Sequence, residues 1–260
     1  MEAVQLFDRK LEFQFSFIFK GHLKSISAEM LPRLPKIASA EFDAGPKLRM
    51  RLSDQKTEEA LIGVGSQSVN VPVVTWTGGI WRLSFSPLRV DLVADALAYF
   101  DVATKELVLD TVRKRVADNL ATMANELDAE VSRFALIVNV EASRETMENP
   151  AVVVADTYFN DDIRAAVANE QTIEVTGRTN AAVSWELEKA GSIKVNRIEQ
   201  LSSHEVYEAG AVSNRFRVLL DVNTSPWVSA RLPPSALPRF YESACKWVDE
   251  RLSAVKESSR

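Results

Sequence analysis

The sequence predicts an α+β protein of two similar lobes, each a mainly antiparallel sheet covered by a long C-terminal helix. Three observations carry this reading. Phe13, Phe15, Phe17 and Phe19 recur at every second residue. That period sends all four rings to one face of a β-strand, and a helix would scatter them. Two later stretches repeat apolar residues at steps of three and four, the pattern of an amphipathic helix. Each of those stretches follows a series of strand patterns, so strands then helix is read twice. The halves, residues 1–132 and 133–260, are nearly equal in length and no low-complexity linker separates them. This predicts tightly packed lobes rather than tethered domains. An internal duplication gives this order, and so does an α+β domain that simply ends on a helix.

The elements follow in chain order. In the opening strand Glu12, Gln14, Ser16 and Lys20 take the side opposite the phenylalanines, interrupted by Ile18. A short helix is expected over Ser27–Leu31, then an irregular connection through Pro32 and Pro35. Lys47 to Leu52 alternates again, with Leu48, Met50 and Leu52 inward and Lys47, Arg49 and Arg51 outward. Residues 60–71 read as a strand weakened by Gly63 and Gly65. Gly78-Gly79, between two alternating runs, reads as a two-residue hairpin loop, with Thr77 facing Ile80 and Trp76 facing Trp81. Trp81, Leu83 and Phe85 share one face, Pro87 breaks the pattern, and Leu88, Val90 and Leu92 resume it.

A helix from about Thr104 to Val131 carries the stripe Leu109, Val112, Val116, Leu120, Met123, Leu127 and Val131. It would be roughly 40 Å long, enough to cross a sheet. In the second half Phe134, Leu136, Val138 and Val140 alternate as a strand, and Asp161–Asn169 reads as a short helix. Val183, Trp185 and Leu187 form a strand that turns at Ala190-Gly191 and continues over Ile193–Ile198. Phe216, Val218, Leu220 and Val222 form the next strand. After Pro233-Pro234 the last helix, about Ala236–Lys256, shows Phe240, Ala244, Trp247, Val248, Leu252 and Val255 on one side.

Composition bounds the chemistry. The 260 residues are 46% hydrophobic and 26% charged, ordinary for a globular protein. The net charge of −5 argues against a chain-wide polyanion-binding surface but not against a local basic patch. A single cysteine, Cys245, excludes an intrachain disulfide and a thiolate metal cluster. Met1–Lys10 lacks the basic and apolar segments of a signal peptide, and no apolar run approaches the ~20 residues needed to span a bilayer. A cytoplasmic protein with no membrane association is expected.

No catalytic motif emerges. His22 and His204, the only histidines, sit in polar settings and read as surface residues. Asp156, Asp161 and Asp162 are the one compact acidic group; no glycine lies between them, and Asp161 and Asp162 fit helix N-terminal acids better than a cation loop. Asp43 with Asp54-Gln55-Lys56 resembles the pieces of a metal-dependent nuclease, but these residues fall at a polar strand end. Gly63-Val64-Gly65-Ser66 lacks the rest of a dinucleotide or phosphate-loop signature, and no Gly-x-Ser-x-Gly elbow occurs. The remaining constellation is cationic: Lys47, Arg49 and Arg51 on one strand face, with Arg82 on the polar side of the tryptophan hairpin. On a single sheet surface these would form an anion-binding or nucleic-acid-binding site.

Several segments together resemble an uncharacterised, sporadically distributed family of bacterial α+β proteins of about 260 residues. They are the phenylalanine strand, Ser84-Phe85-Ser86-Pro87 leading on to Tyr99, Arg133-Phe134-Ala135-Leu136, Val195-Asn196-Arg197-Ile198, Leu220-Asp221-Val222-Asn223 and Phe240-Tyr241-Glu242. The resemblance lies in the order of elements and supports the fold; the family has no established activity to carry over. The expectation is a non-catalytic binding or protein-interaction protein with a protein partner or a homodimer and no cofactor or metal. Nucleic-acid or anion binding through the basic strand face, and carboxylate- or metal-dependent hydrolysis, are the alternatives.

Overall fold

In the computed structural model the described residues are 9–20, 30–38, 44–54, 68–95, 105–128, 130–143, 150–158, 165, 175–187, 191–208, 210–225 and 232–258. The strands are β1 (Lys10–Phe19), β2 (Ala44–Asp54), β3 (Ser68–Gly78), β4 (Trp81–Phe85), β5 (Arg89–Asp95), β6 (Val131–Ser143), β7 (Val175–Leu187), β8 (Gly191–Glu208) and β9 (Ala211–Thr224). The helices are α1 (Leu34–Ile37), α2 (Lys105–Glu126), α3 (Pro150–Tyr158) and α4 (Leu237–Ser258). The protein is α+β. Among the described residues nine strands form one antiparallel sheet in the order β2-β3-β4-β5-β1-β6-β9-β8-β7.

The sheet runs unbroken through both halves of the chain. Its centre is the pair β1–β6, with Phe15 opposite Leu136 and Phe17 opposite Phe134. The physical reason is plain. Both strands alternate strongly apolar residues, and either one left as an edge would present an unpaired hydrophobic template. From this centre β5, β4, β3 and β2 extend to one side and β9, β8 and β7 to the other.

One face of the sheet is covered and holds the core. Leu11, Phe13, Phe15, Phe17 and Phe19 are all buried, together with Leu83, Leu92, Leu136, Val138, Val218 and Leu220 from neighbouring strands. The long helices α2 and α4 pack on one another, and both reach the sheet. Phe15 meets Tyr241 of α4 edge-on at 5.3 Å between ring centres, and Phe240 lies 5.6 Å from Phe134 and 5.8 Å from Trp185. Such aromatic pairs add about 0.5–1.5 kcal/mol each beyond burial. The expected stripe of α4 is buried except for half-exposed Trp247. In α2, Val116, Leu120 and Met123 are buried; the side chains of Leu109 and Val112 lie outside the described residues.

Several local expectations are corrected. Of the helix expected over Ser27–Leu31 only Met30 and Leu31 are described, and neither is α-helical; where an irregular connection is expected through Pro32 and Pro35, a 3₁₀ turn over Leu31–Arg33 is followed by α1. Pro32 and Pro35 fall in the first turns of these segments, where a missing N–H costs nothing and a fixed φ favours the helix.

The tryptophan hairpin turns one residue later than expected. Its loop is Gly79-Ile80, with Gly78 opposite Trp81 and Trp76 opposite Leu83. Only Gly79 has positive φ, at 52°, which suits a turn that needs one such residue at its first central position. Ile80 is thereby buried, and its carbonyl accepts from the Asp95 N–H at 2.8 Å.

Helix α2 stops at Glu126 rather than Val131. Asp128 adopts φ 45°, a left-handed stop that ends helical bonding, and Val131 opens β6. Helix α3 was not expected. Its signal was Asn149-Pro150, a turn residue before a proline at the first helical position. Of the helix expected over 161–169 only Ala165 is described, and it is helical. Gly63, Gly65 and Tyr99 lie outside the described residues.

Candidate functional site

Strand register decides which polar residues share a surface. Thr77 lies opposite Arg82, Thr75 opposite Lys47 and Val73 opposite Arg49, with Arg51 opposite Val71. Lys47, Arg49, Arg51 and Arg82 therefore hold ladder positions of one parity, the parity of Ser16 and Asp91 and opposite to that of the buried phenylalanines. Lys47 is exposed. Arg82 is half-exposed and approaches Glu12 at 3.9 Å. The side chains of Arg49 and Arg51 lie outside the described residues.

Towards the middle of this face the polar groups satisfy one another. Gln14 Nε2 donates to Ser16 Oγ and Asp91 Oδ1, Ser16 Oγ donates to Asp91 Oδ1, and Arg89 Nε pairs with Asp91 Oδ2 at 2.7 Å. Further along, Arg217 Nε donates to Asn139 Oδ1 at 2.8 Å, and Asn223 Nδ2 donates to Asp221 Oδ1 at 2.8 Å. Asp91 is 7% and Asn223 1% exposed. Buried polar groups paired in this way specify register and core structure. They are partnered by each other rather than poised on a substrate.

A second polar group lies beneath α4 on the covered face. Glu199 of β8, 4% exposed, accepts two hydrogen bonds from Arg251 at 3.0 Å. This fork geometry is the strong form of a carboxylate pair. Two residues along β8, Arg197 stacks over the Trp247 ring at 5.8 Å. Beside it a pocket of about 140 Å³ opens between the sheet and α4, lined by Val183, Trp185, Arg197, Phe240 and Ser243 among others. Tyr158, at the end of α3, lies near Glu199 and Arg251. Burial and the nearby Glu199 carboxylate push its hydroxyl up to about 12, opposed by Thr179 and Arg251.

The most unusual surface is β7, the outermost strand. Residues Arg178, Thr179, Asn180, Ala181 and Ala182 are consecutively exposed. A strand covered on one face would alternate. Among the described residues β7 pairs only with β8, so its outer edge carries backbone groups with no strand partner there. The sheet's other edge differs. Strand β2 bears Pro46, Lys47, Arg49 and Arg51 and has a register irregularity between Ala44 and Lys47, all of which discourage pairing. From Thr179 to Trp185 strand β7 carries no charge and no proline. Beyond the end of β7, the β8–β9 hairpin continues and exposes the opposed pair Tyr207 and Val212.

The other candidates stay apart or lie outside the described residues. His204 sits opposite Arg215 on the sheet, whereas His22 lies outside the described residues. Asp156 is exposed on α3; Asp161 and Asp162 lie outside the described residues. Asp54 ends β2, and Asp43 and 55–59 lie outside the described residues. Among the described residues no group of three or more His, Cys, Asp or Glu is placed to hold a metal ion, and no helix is long and apolar enough to cross a membrane. No family model and no curated protein matches this chain.

Sequence reading missed both the open edge of β7 and the Glu199–Arg251 pair. The run Thr179-Asn180-Ala181-Ala182 carries no strand alternation to reveal the first. The second joins residues 52 positions apart, which no local pattern encodes.

Proposed function

We propose that this chain is a non-catalytic interaction protein that receives a partner along the outer edge of β7. The observation behind the reading is the row of five consecutively exposed, mostly uncharged residues on a 13-residue terminal strand. An exposed edge of that length is a template for strand addition, in which backbone hydrogen bonds give affinity and alternate side chains give specificity. Helix α3 packs on the strand at Gly177. We also propose that the two halves, 1–132 and 133–260, are structural duplicates. In each half the first strand pairs with the last, β1 with β5 and β6 with β9, before a long helix closes the half.

The docking reading is tested by recovering tagged protein from its native host beside a variant carrying Ala181→Lys and Ala182→Lys. These changes put charge on both sides of the edge while leaving the β8 ladder in place. The expected result is a stoichiometric partner that protects the β7 amides from hydrogen exchange and is lost in the variant. Recovery of the same partner by the variant would overturn the reading.

A second reading is favoured by the common parity of Lys47, Arg49, Arg51 and Arg82, which together would give a polyanion a cationic strip at the β2 edge. On this reading nucleic acid binds through its phosphates.

A further inference from the structure

Resting on the reading of β7 as a docking edge, we propose that its occupant is β7 of a second copy of this chain, paired antiparallel about a two-fold axis through Ala182. Two copies related by a two-fold axis present the same surface to each other, so the edge must complement itself. Antiparallel partners place directly opposite residues on the same side of the sheet. Strand β7 has two charged residues among its exposed positions, Arg178 and Glu186. Both hold the ladder parity of Ala182, as do Gln200 and Ser192, which lie opposite them on β8. Ala182 lies midway between them. A register centred there sets Arg178 of each copy opposite Glu186 of the other and makes two ion pairs. It also sets Ala182 against its own copy, Ala181 against Val183, and Thr179 against Trp185.

The rest of the strand suits this arrangement. Ala181 and Ala182 offer little steric bulk at the axis. Neither Arg178 nor Glu186 is ion-paired to a described residue, so the new pairs replace nothing. The contact of Thr179 with Trp185 falls on the covered side of the sheet, where Trp185 lines the pocket against α4. The second copy would thus finish the outer wall of that pocket. The charged β2 edge stays free to end the doubled sheet.

The test is solution mass by light scattering across a dilution series. Wild type is expected at twice the 28.9 kDa chain mass. Arg178→Glu and Glu186→Arg each turn two attractive pairs into two repulsive ones, and each should weaken the dimer by roughly tenfold or more. The double variant Arg178→Glu/Glu186→Arg should restore it. As a check independent of these charges, Ala182→Cys should be linked to its own copy by a short bis-maleimide, and Val212→Cys should not. A dimer unaffected by either reversal, or an Ala182→Cys that does not link within a dimer, overturns the proposed register. A wild-type monomer at every concentration overturns the self-pairing; the docking reading then stands if another chain protects β7, and falls with it if none does.

Discussion

Tyr241 donates a hydrogen bond to the backbone carbonyl of Ser16 at 2.8 Å, joining residues 225 positions apart. Ser16 is thus held from both sides of the sheet. Its carbonyl receives the C-terminal helix, and its hydroxyl donates to Asp91 on the opposite face. Tyr241 is 1% exposed and packs edge-on against Phe15. The contact fixes the last helix of the chain to the central strand of the sheet.

Tyr241→Phe keeps the ring and removes the hydroxyl. It should cost about 1 kcal/mol in urea unfolding, the usual net worth of a buried hydrogen bond. Tyr241→Ala also opens a cavity and should cost about 3–5 kcal/mol. Equal effects for the two variants would show that the ring contributes little.

Buried Tyr241 and partly buried Tyr158 should make stability fall at alkaline pH. Burial raises the Tyr241 hydroxyl well above its ordinary value, and Tyr158 is pushed up to about 12. Below pH 10, the ordinary value, both residues are protonated whether the chain is folded or not, so these groups contribute no slope. Above it the unfolded chain releases protons that the folded chain retains, and unfolding becomes easier. Stability should decline from about pH 10 towards pH 12, and the double variant Tyr158→Phe/Tyr241→Phe should flatten the decline. An unchanged alkaline limb in urea titrations of the double variant would argue against this.

Gly177 of β7 lies beneath the Tyr158 ring. A Cβ built at Gly177 would come within 2.6 Å of three ring carbons, so α3 seats on the strand only because this residue has no side chain. Gly177→Ala should destabilise by about 1–3 kcal/mol through overpacking. Adding Tyr158→Ala should recover part of that loss, since the clash disappears. A double-mutant cycle in thermal or urea unfolding measures the coupling; additive effects would mean that the ring does not rest there.

Arg251→Ala removes the partner of a nearly buried carboxylate. Leaving Glu199 unpaired should cost about 3 kcal/mol. Replacing the pair by Glu199→Leu/Arg251→Met should cost much less, because an apolar pair needs no compensation. The order of the two denaturation midpoints decides the matter.

If the cationic strip binds nucleic acid, affinity should fall steeply with salt, and Arg49→Glu should abolish binding. Titration with a labelled duplex at two salt concentrations reads both. Binding that Arg49→Glu leaves intact removes this function from the strip.

Much of the fold was legible because its strands and helices carry strong periods. The phenylalanine strand, the stripe of α4 and the alternation Phe216, Val218, Leu220, Val222 each point to one face, and each of those residues is buried apart from Trp247 at the rim of the α4 stripe. What local pattern could not supply was partner choice. Nothing in β1 or β6 separately says that they meet, so a sheet shared by both halves was out of reach. Turns were legible only in part. The glycine pair located the hairpin, but the burial of Ile80 chose which of two adjacent loops formed. The candidate site was the least legible of all. Alternation put Lys47, Arg49 and Arg51 on one strand face and Arg82 on the polar side of the hairpin, but their common parity, like the edge position of β7, follows only once the neighbours in the sheet are known.

Hydrogen exchange of the β7 amides, Val175–Leu187, in dilute and in concentrated protein tests the central claim most directly. Strand docking at this edge predicts that the alternate amides pointing away from β8 exchange fast when dilute and become protected as concentration rises or when the native partner is added. Outward amides that exchange at one fast rate under every condition, with the partner present, would contradict a docking edge at β7.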